Sequence, residues 1–209
     1  MNKIVVIGGG GHAKVLISVL KKSGYDVMGY TDRDDRGVIL GVLYIGNDGV
    51  LPQIAGQHRN CGAVIGIGKI DASDLRLRLQ GELSALGFDF PAICSPRSII
   101  NEAVTMAAGT VAFDGVIVNS GSTIGRACIL NTGCIVEHDC RVGDDVHLAP
   151  GVILSGGVTI GSHCMVGAGT SIIQSVSICE GCLIGAGSTI VEDLTQRGSY
   201  AGNPAKRIR

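Results

Sequence analysis

The sequence predicts a small N-terminal α/β unit, half of a Rossmann-type parallel sheet, followed by a left-handed parallel β-helix that assembles as a trimer. Three observations predict it. The first thirty residues read strand, glycine-rich turn, helix, strand. From residue 100 onward every sixth position is apolar, and the residue four places after each is small or β-branched. The composition is 45% hydrophobic but only 3% aromatic, with 33 Gly and no Trp, which suits a repetitive core of small and branched side chains.

The first element is "KIVVIGGGGHAKVLISVLKKSGYDVMGYTD", Lys3 to Asp32. Gly8, Gly10 and Ala13 form GxGxxA, and Asp32 ends the second strand. Glycines permit close backbone approach to phosphates, and a carboxylate at that place can hold ribose hydroxyls. Only one further clear strand follows, "GAVIGIG", before a helix expected from Asp71 to Leu86. Three strands make half a doubly wound sheet, enough for a mononucleotide. A nucleotide-linked ligand, NAD and a purely structural glycine turn all stay open on these residues. The unit is expected over residues 1–90, and the β-helix over 91–209, with repeats at about 100–195 and a tail at 196–209.

The repeat itself runs through sixteen leading positions, Ile100, Met106, Ala112 and so on to Ile190, and all sixteen are apolar. At 45% hydrophobic content, and allowing for six phases, that has a chance on the order of 10⁻⁵. Four places on, fifteen of sixteen residues are Val, Thr, Ser or Cys; three places on, nine are Gly, where a corner favours φ > 0. An aliphatic, a small residue and a turn every six positions describe a triangular coil of 18 residues. Five of the eight cysteines, Cys128, Cys134, Cys140, Cys164 and Cys182, fall in the small inward column and read as core. Cys179 and Cys182 form a lone CxxC without a second pair, so no metal is expected.

Residues 18 apart stack on one face. Just before the leaders, the first face shows Ile117, Ile135, Ile153 and Ser171; the second shows Val111, Ile129, His147, Met165 and Leu183; the third shows Thr105, Thr123, Arg141, Thr159 and Ser177. Two apolar outward faces predict association, closing as a threefold ring with the first face against a neighbour's second. His138 lies at the corner beside the first face and His147 on the second, so across such a seam they converge. His147 interrupts an apolar column, which costs free energy unless the ring is partnered or working. Asp139 and His163 occupy the turn column.

Net charge −1 gives no sign of nucleic acid or an acidic membrane surface as partner. Apolar runs are too short for a membrane span or signal segment, and eight cysteines without such a signal point to reduced thiols and a cytoplasmic protein.

Four segments together resemble a family: "GGGGHAKV", "SPRSII", "ILNTGCIVEHDCRVGDDVHLAPG" and the terminal "AGNPAKRIR". They are similar to the NeuD-like bacterial sugar O-acyltransferases, a group that includes nucleotide-linked 4-amino-sugar N-acetyltransferases of the PglD and PerB type. The resemblance covers essentially the whole chain. It implies an acetyl-CoA-dependent, metal-free transfer to the amino group of a nucleotide-linked amino sugar, in surface-glycan biosynthesis. It implies His138 as general base supported by Asp139, and His147 at the acetyl end of acetyl-CoA. The transfer also needs an oxyanion donor, for which the His147 region or the Gly156 N–H are candidates, and Lys206 or Arg207 is expected near a CoA phosphate. Gly11, His12, Asp32, Gly66 and Asn131 are implied on the substrate side. Where the PglD-like pattern carries a second acid after Asp32, this chain has Arg33. Two alternatives are a sugar O-acetyltransferase of sialic-acid type and a non-catalytic or zinc-dependent β-helix trimer using His138, His147 and His163.

Overall fold

The structure is a computed structural model describing residues 3–58 and 60–208. It divides into two compact units, residues 1–68 with 75–96, and residues 69–74 with 97–209. Each is described by itself.

In the first unit, β1 (Lys3–Ile7) lies between β2 (Asp26–Thr31) and β3 (Gly62–Ile65) in a parallel sheet of order β2-β1-β3. β1 and β3 are apolar runs and are buried almost throughout, as expected of a parallel sheet covered on both faces. Helix α1 (Gly11–Lys22) carries its apolar residues at helical spacing and buries Ala13, Leu16, Ile17 and Leu20. A shorter α2 (Leu51–Gln57) and α3 (Leu75–Ala85) complete the unit. The helix expected from Asp71 begins four residues later. Asp71 Oδ1 accepts the Ser73 N–H at 3.0 Å, which closes a turn instead of a helical coil.

The second unit is a parallel β-helix. Two-residue strands recur every six positions from Ile99–Ile100 to Thr189–Ile190, and the leading residue of each repeat is the second residue of its strand. Strands 18 residues apart pair in parallel, as Ile117, Ile135 and Ile153 do. From Ala112 to Ile190 every leader is buried; Ile100 and Met106, in the first coil, are only half so. The five cysteines of the small column are fully buried. Burial raises the Cys128 and Cys134 thiols to about 12, so they stay protonated and inert. The turn column is left-handed even where it lacks glycine. Ala103, Ala127, Asp139, Asp145, His163 and Ser175 all have φ between 54° and 63°.

The second face departs from expectation. Val111 and Ile129 are fully buried and His147 is 8% exposed within the one chain. The column is therefore not a free apolar stripe along its length. Only Met165 and Leu183 are half-buried. The first face does stay open, with Ile99 54% and Ile153 39% exposed and Ile117 and Ile135 between buried and exposed.

Candidate active site

The corner after Ile135–Val136 presents His138 and Asp139 side by side. Asp139 takes φ +59°, a left-handed conformation that Asp tolerates. From there its Oδ2 lies 2.9 Å from His138 Nδ1. A carboxylate only accepts, so Nδ1 donates to Asp139 and Nε2 is the ring nitrogen left for other chemistry. Both side chains are largely exposed. One coil on, a Cβ added to Gly156 would lie 2.6 Å from His138 Cε1 and Nε2. The ring thus rests directly on Gly156, and only glycine leaves it room. Among the described residues the Gly156 N–H has no hydrogen-bond partner. A basic nitrogen and an unspent amide donor therefore meet at one corner.

A ladder on the 18-residue spacing supports this corner, and the sequence reading missed it. Asn101 Nδ2 donates to Asn119 Oδ1 at 2.7 Å, and Asn119 Nδ2 donates to Glu137 Oε2 at 2.9 Å. The periodicity alone would have found it.

His147 is built differently. Its Nδ1 lies 2.7 Å from the Lys69 carbonyl, and its Nε2 lies 3.1 Å from Asn131 Nδ2. Asn131 Oδ1 accepts the Thr132 N–H at 2.8 Å. Asn131, expected on the substrate side, thus holds His147 with its amide. His163 Nδ1 is 3.3 Å from Asp145 Oδ2. The three histidines of the zinc alternative are each engaged with a different group, and no cluster of three or more metal-ligating side chains occurs among the described residues. Lys206 sits in the C-terminal hairpin, exposed and 3.9 Å from Glu192.

In the first unit, a cavity of 590 Å³ opens at the ends of β1 and β2, lined by Gly8, Asp32, Arg33, Arg36 and Asp48 among others. An adjoining cavity of 350 Å³ is lined by Gly8, Gly10, Gly11, His12, Asp32 and Gly66. Gly8 takes φ +107°, and a Cβ on Gly66 would strike Val6 and Ala13. These glycines let the turn pack tightly and leave its mouth open. Burial by itself would raise the Asp32 pKa; the Gly9 and Asp34 amides and the Arg36 guanidinium outweigh it, and the carboxyl titrates below its usual range. The Gly9 amide donates to Asp32 Oδ2 at 2.7 Å. Asn47, Asp48 and Gly49 line the larger cavity from a segment that carries no fingerprint in sequence.

A β-helix of six-residue repeats joined to a half-Rossmann unit, with an imidazole–carboxylate pair on a coil corner, defines a hexapeptide-repeat transferase. Residues 121–156 and 157–192 match the bacterial transferase hexapeptide repeat, and residues 3–79 match the PglD N-terminal domain. Perosamine N-acetyltransferase from Caulobacter crescentus, solved with CoA and GDP-perosamine, is 35% identical over 99% of this chain and 97% of that one, with a TM-score of 0.93. The acetyltransferase domain of PglB from Neisseria gonorrhoeae, solved with acetyl coenzyme A, is 30% identical over 100% of both chains, also at 0.93. WeeI from Acinetobacter baumannii shares the fold at 23% identity and a TM-score of 0.87. No curated protein matches the chain. The chain belongs to the hexapeptide-repeat sugar acetyltransferase family that carries a PglD-type N-terminal domain.

Proposed function

We propose that the protein transfers the acetyl group of acetyl-CoA to the amino group of a nucleotide-linked amino sugar. The observation that carries the reading is the His138 ring, with Nδ1 on Asp139 and its Nε2 edge against Gly156. The same family's solved members hold CoA, acetyl coenzyme A and GDP-perosamine, ligands of that chemistry.

In this reading the sugar amine attacks the thioester carbonyl while His138 Nε2 takes its proton. The Gly156 N–H stabilises the oxyanion, and Asp139 holds the imidazolium. Collapse expels the CoA thiolate, which recovers the proton, so no cysteine is needed as nucleophile. Gly11, His12, Asp32 and Gly66 hold the nucleotide, and Lys206 meets a CoA phosphate. The exposed column through Ile135 packs on a neighbouring chain in a homotrimer. There His138 of one chain faces the neighbour's acetyl-CoA side, where His147 lies. A monomer in sedimentation at micromolar concentration would remove the trimer.

No helix among the described residues is long and apolar enough to cross a membrane. The enzyme's place is the cytoplasm, where acetyl-CoA and nucleotide sugars are made. The experiment is acetyl-CoA-dependent thiol release against a panel of UDP-, GDP-, CMP- and dTDP-linked amino sugars. Release with a 4-amino sugar and an N-acetyl product supports the reading. Release only with hydroxyl acceptors, or with none, overturns it.

A further inference from the structure

The segment Lys69–Asp74 clusters with the β-helix, and Lys69 anchors it there. Its Nζ lies 2.9 Å from Asp145 Oδ2, with side chains 2% and 0% exposed, and also donates to the Ser73 carbonyl. His163 Nδ1 approaches the same Asp145 oxygen. Among the described residues Asp145 Oδ1 is buried without a hydrogen-bond partner, so what compensates this buried carboxylate comes through Oδ2. A lysine held this way fixes its own backbone, and its carbonyl is the group that meets His147 Nδ1 at 2.7 Å.

The chain of donors can be followed through the ring. The Thr132 N–H donates to Asn131 Oδ1, which sets the amide with Nδ2 toward His147. Nδ2 only donates, so His147 Nε2 must accept. The Lys69 carbonyl only accepts, so Nδ1 must carry the proton. Both ends require one form: neutral imidazole with its hydrogen on Nδ1.

We infer that Lys69 and Asp145 are positioning residues that hold His147 as the neutral Nδ1–H tautomer, with its Nε2 lone pair taken by Asn131, so that this ring offers bound acetyl-CoA no hydrogen-bond donor. The acyl oxygen is then left to the Gly156 N–H, and His147 acts on the acetyl-CoA side as a fixed ring wall. What the ring does rests on the acyl-transfer reading; which tautomer it holds does not.

The test uses the full-length protein labelled with ¹⁵N-histidine and two-dimensional ¹H–¹⁵N correlation of the imidazoles, with His147→Gln identifying the signal. The wild type is expected to show the Nδ1–H pattern at neutral pH. Lys69→Met or Asp145→Asn leaves a lone buried charge and endangers folding, so the decisive variant replaces both, Lys69→Met with Asp145→Leu. That pair is expected to move His147 to the Nε2–H form or a mixture. It should also raise KM for acetyl-CoA about tenfold or more, with kcat for the nucleotide sugar within about threefold. An Nε2–H pattern in the wild type overturns the inference. So does a folded pair variant that keeps both the Nδ1–H pattern and the wild-type KM. If the wild type acetylates nothing yet its tautomer still shifts in the pair variant, the functional reading fails and the positioning role stands.

Discussion

His138 and His147 lie nine residues apart, half a coil, and the chain treats the two imidazoles in opposite ways. His138 sits exposed on a corner with one nitrogen on its sequence neighbour, Asp139, and the other unspent beside Gly156. His147 sits on a face, buried, with both nitrogens bonded to residues 78 and 16 positions away. On the proposed mechanism, the difference separates a group that exchanges a proton from one that stays fixed. An exposed ring keeps a free lone pair and can accept charge in water; a ring tied at both ends in a dry setting keeps one tautomer and loses that freedom.

The comparison can be broken most directly at His138. Replacement by Ala should lower kcat by about 10²–10⁴-fold with little change in melting temperature, because an exposed side chain is removed. A loss confined to KM for acetyl-CoA would mean that His138 is a binding group. At the buried end, Lys69→Met alone should cost about 3–5 kcal/mol in denaturant unfolding, since it strands the Asp145 carboxylate. Equal losses for that single variant and for the Lys69→Met, Asp145→Leu pair would contradict an ion pair at this place.

Gly156→Ala sharpens the contrast from the other side. The exposed ring can swing away from the new methyl, so stability should hold while kcat falls by about 10²-fold. Cys134→Ser should do the reverse. It places a hydroxyl in an apolar column and costs about 1–3 kcal/mol with unchanged kcat.

The smallest effect concerns Asp32. Its folded pKa lies below its unfolded value of 3.8, so its contribution to stability is fully present above 3.8 and is lost as pH falls through the lowered value. Asp32→Asn should flatten that acid limb of the unfolding curve. An unchanged limb would assign it to other carboxylates.

The coils were readable because each repeat restates the same demand, an aliphatic, a turn and a small residue. Even the left-handed corners at Asp139, Asp145 and His163 follow from their column. His138 with Asp139 was readable for the same reason, being adjacent in sequence on a known corner. The Lys69 anchor was not. Its partners are 76 and 78 residues away, and nothing around "GKIDASD" signals a buried lysine. The second face misled for a related cause. Val111 and Ile129 look like exposed stripe residues from periodicity alone, yet they are buried in the folded chain. Periodicity says which way a side chain points and not what comes to cover it.

The stacking of residues 18 apart has a practical consequence for transplantation. His138 draws its floor from Gly156, Glu137 is held by Asn119 one coil earlier, and Asp145 meets His163 one coil later. Each corner is thus supported along the coil axis, by the layer above or below. A block of successive coils cut at equivalent corners carries the His138 pair together with its floor and its ladder, and its cut ends present the same strand edges as any other coil. Such a block can be spliced into a host β-helix without redesigning the joint. His147 does not travel with it, because its anchor enters from outside the repeat.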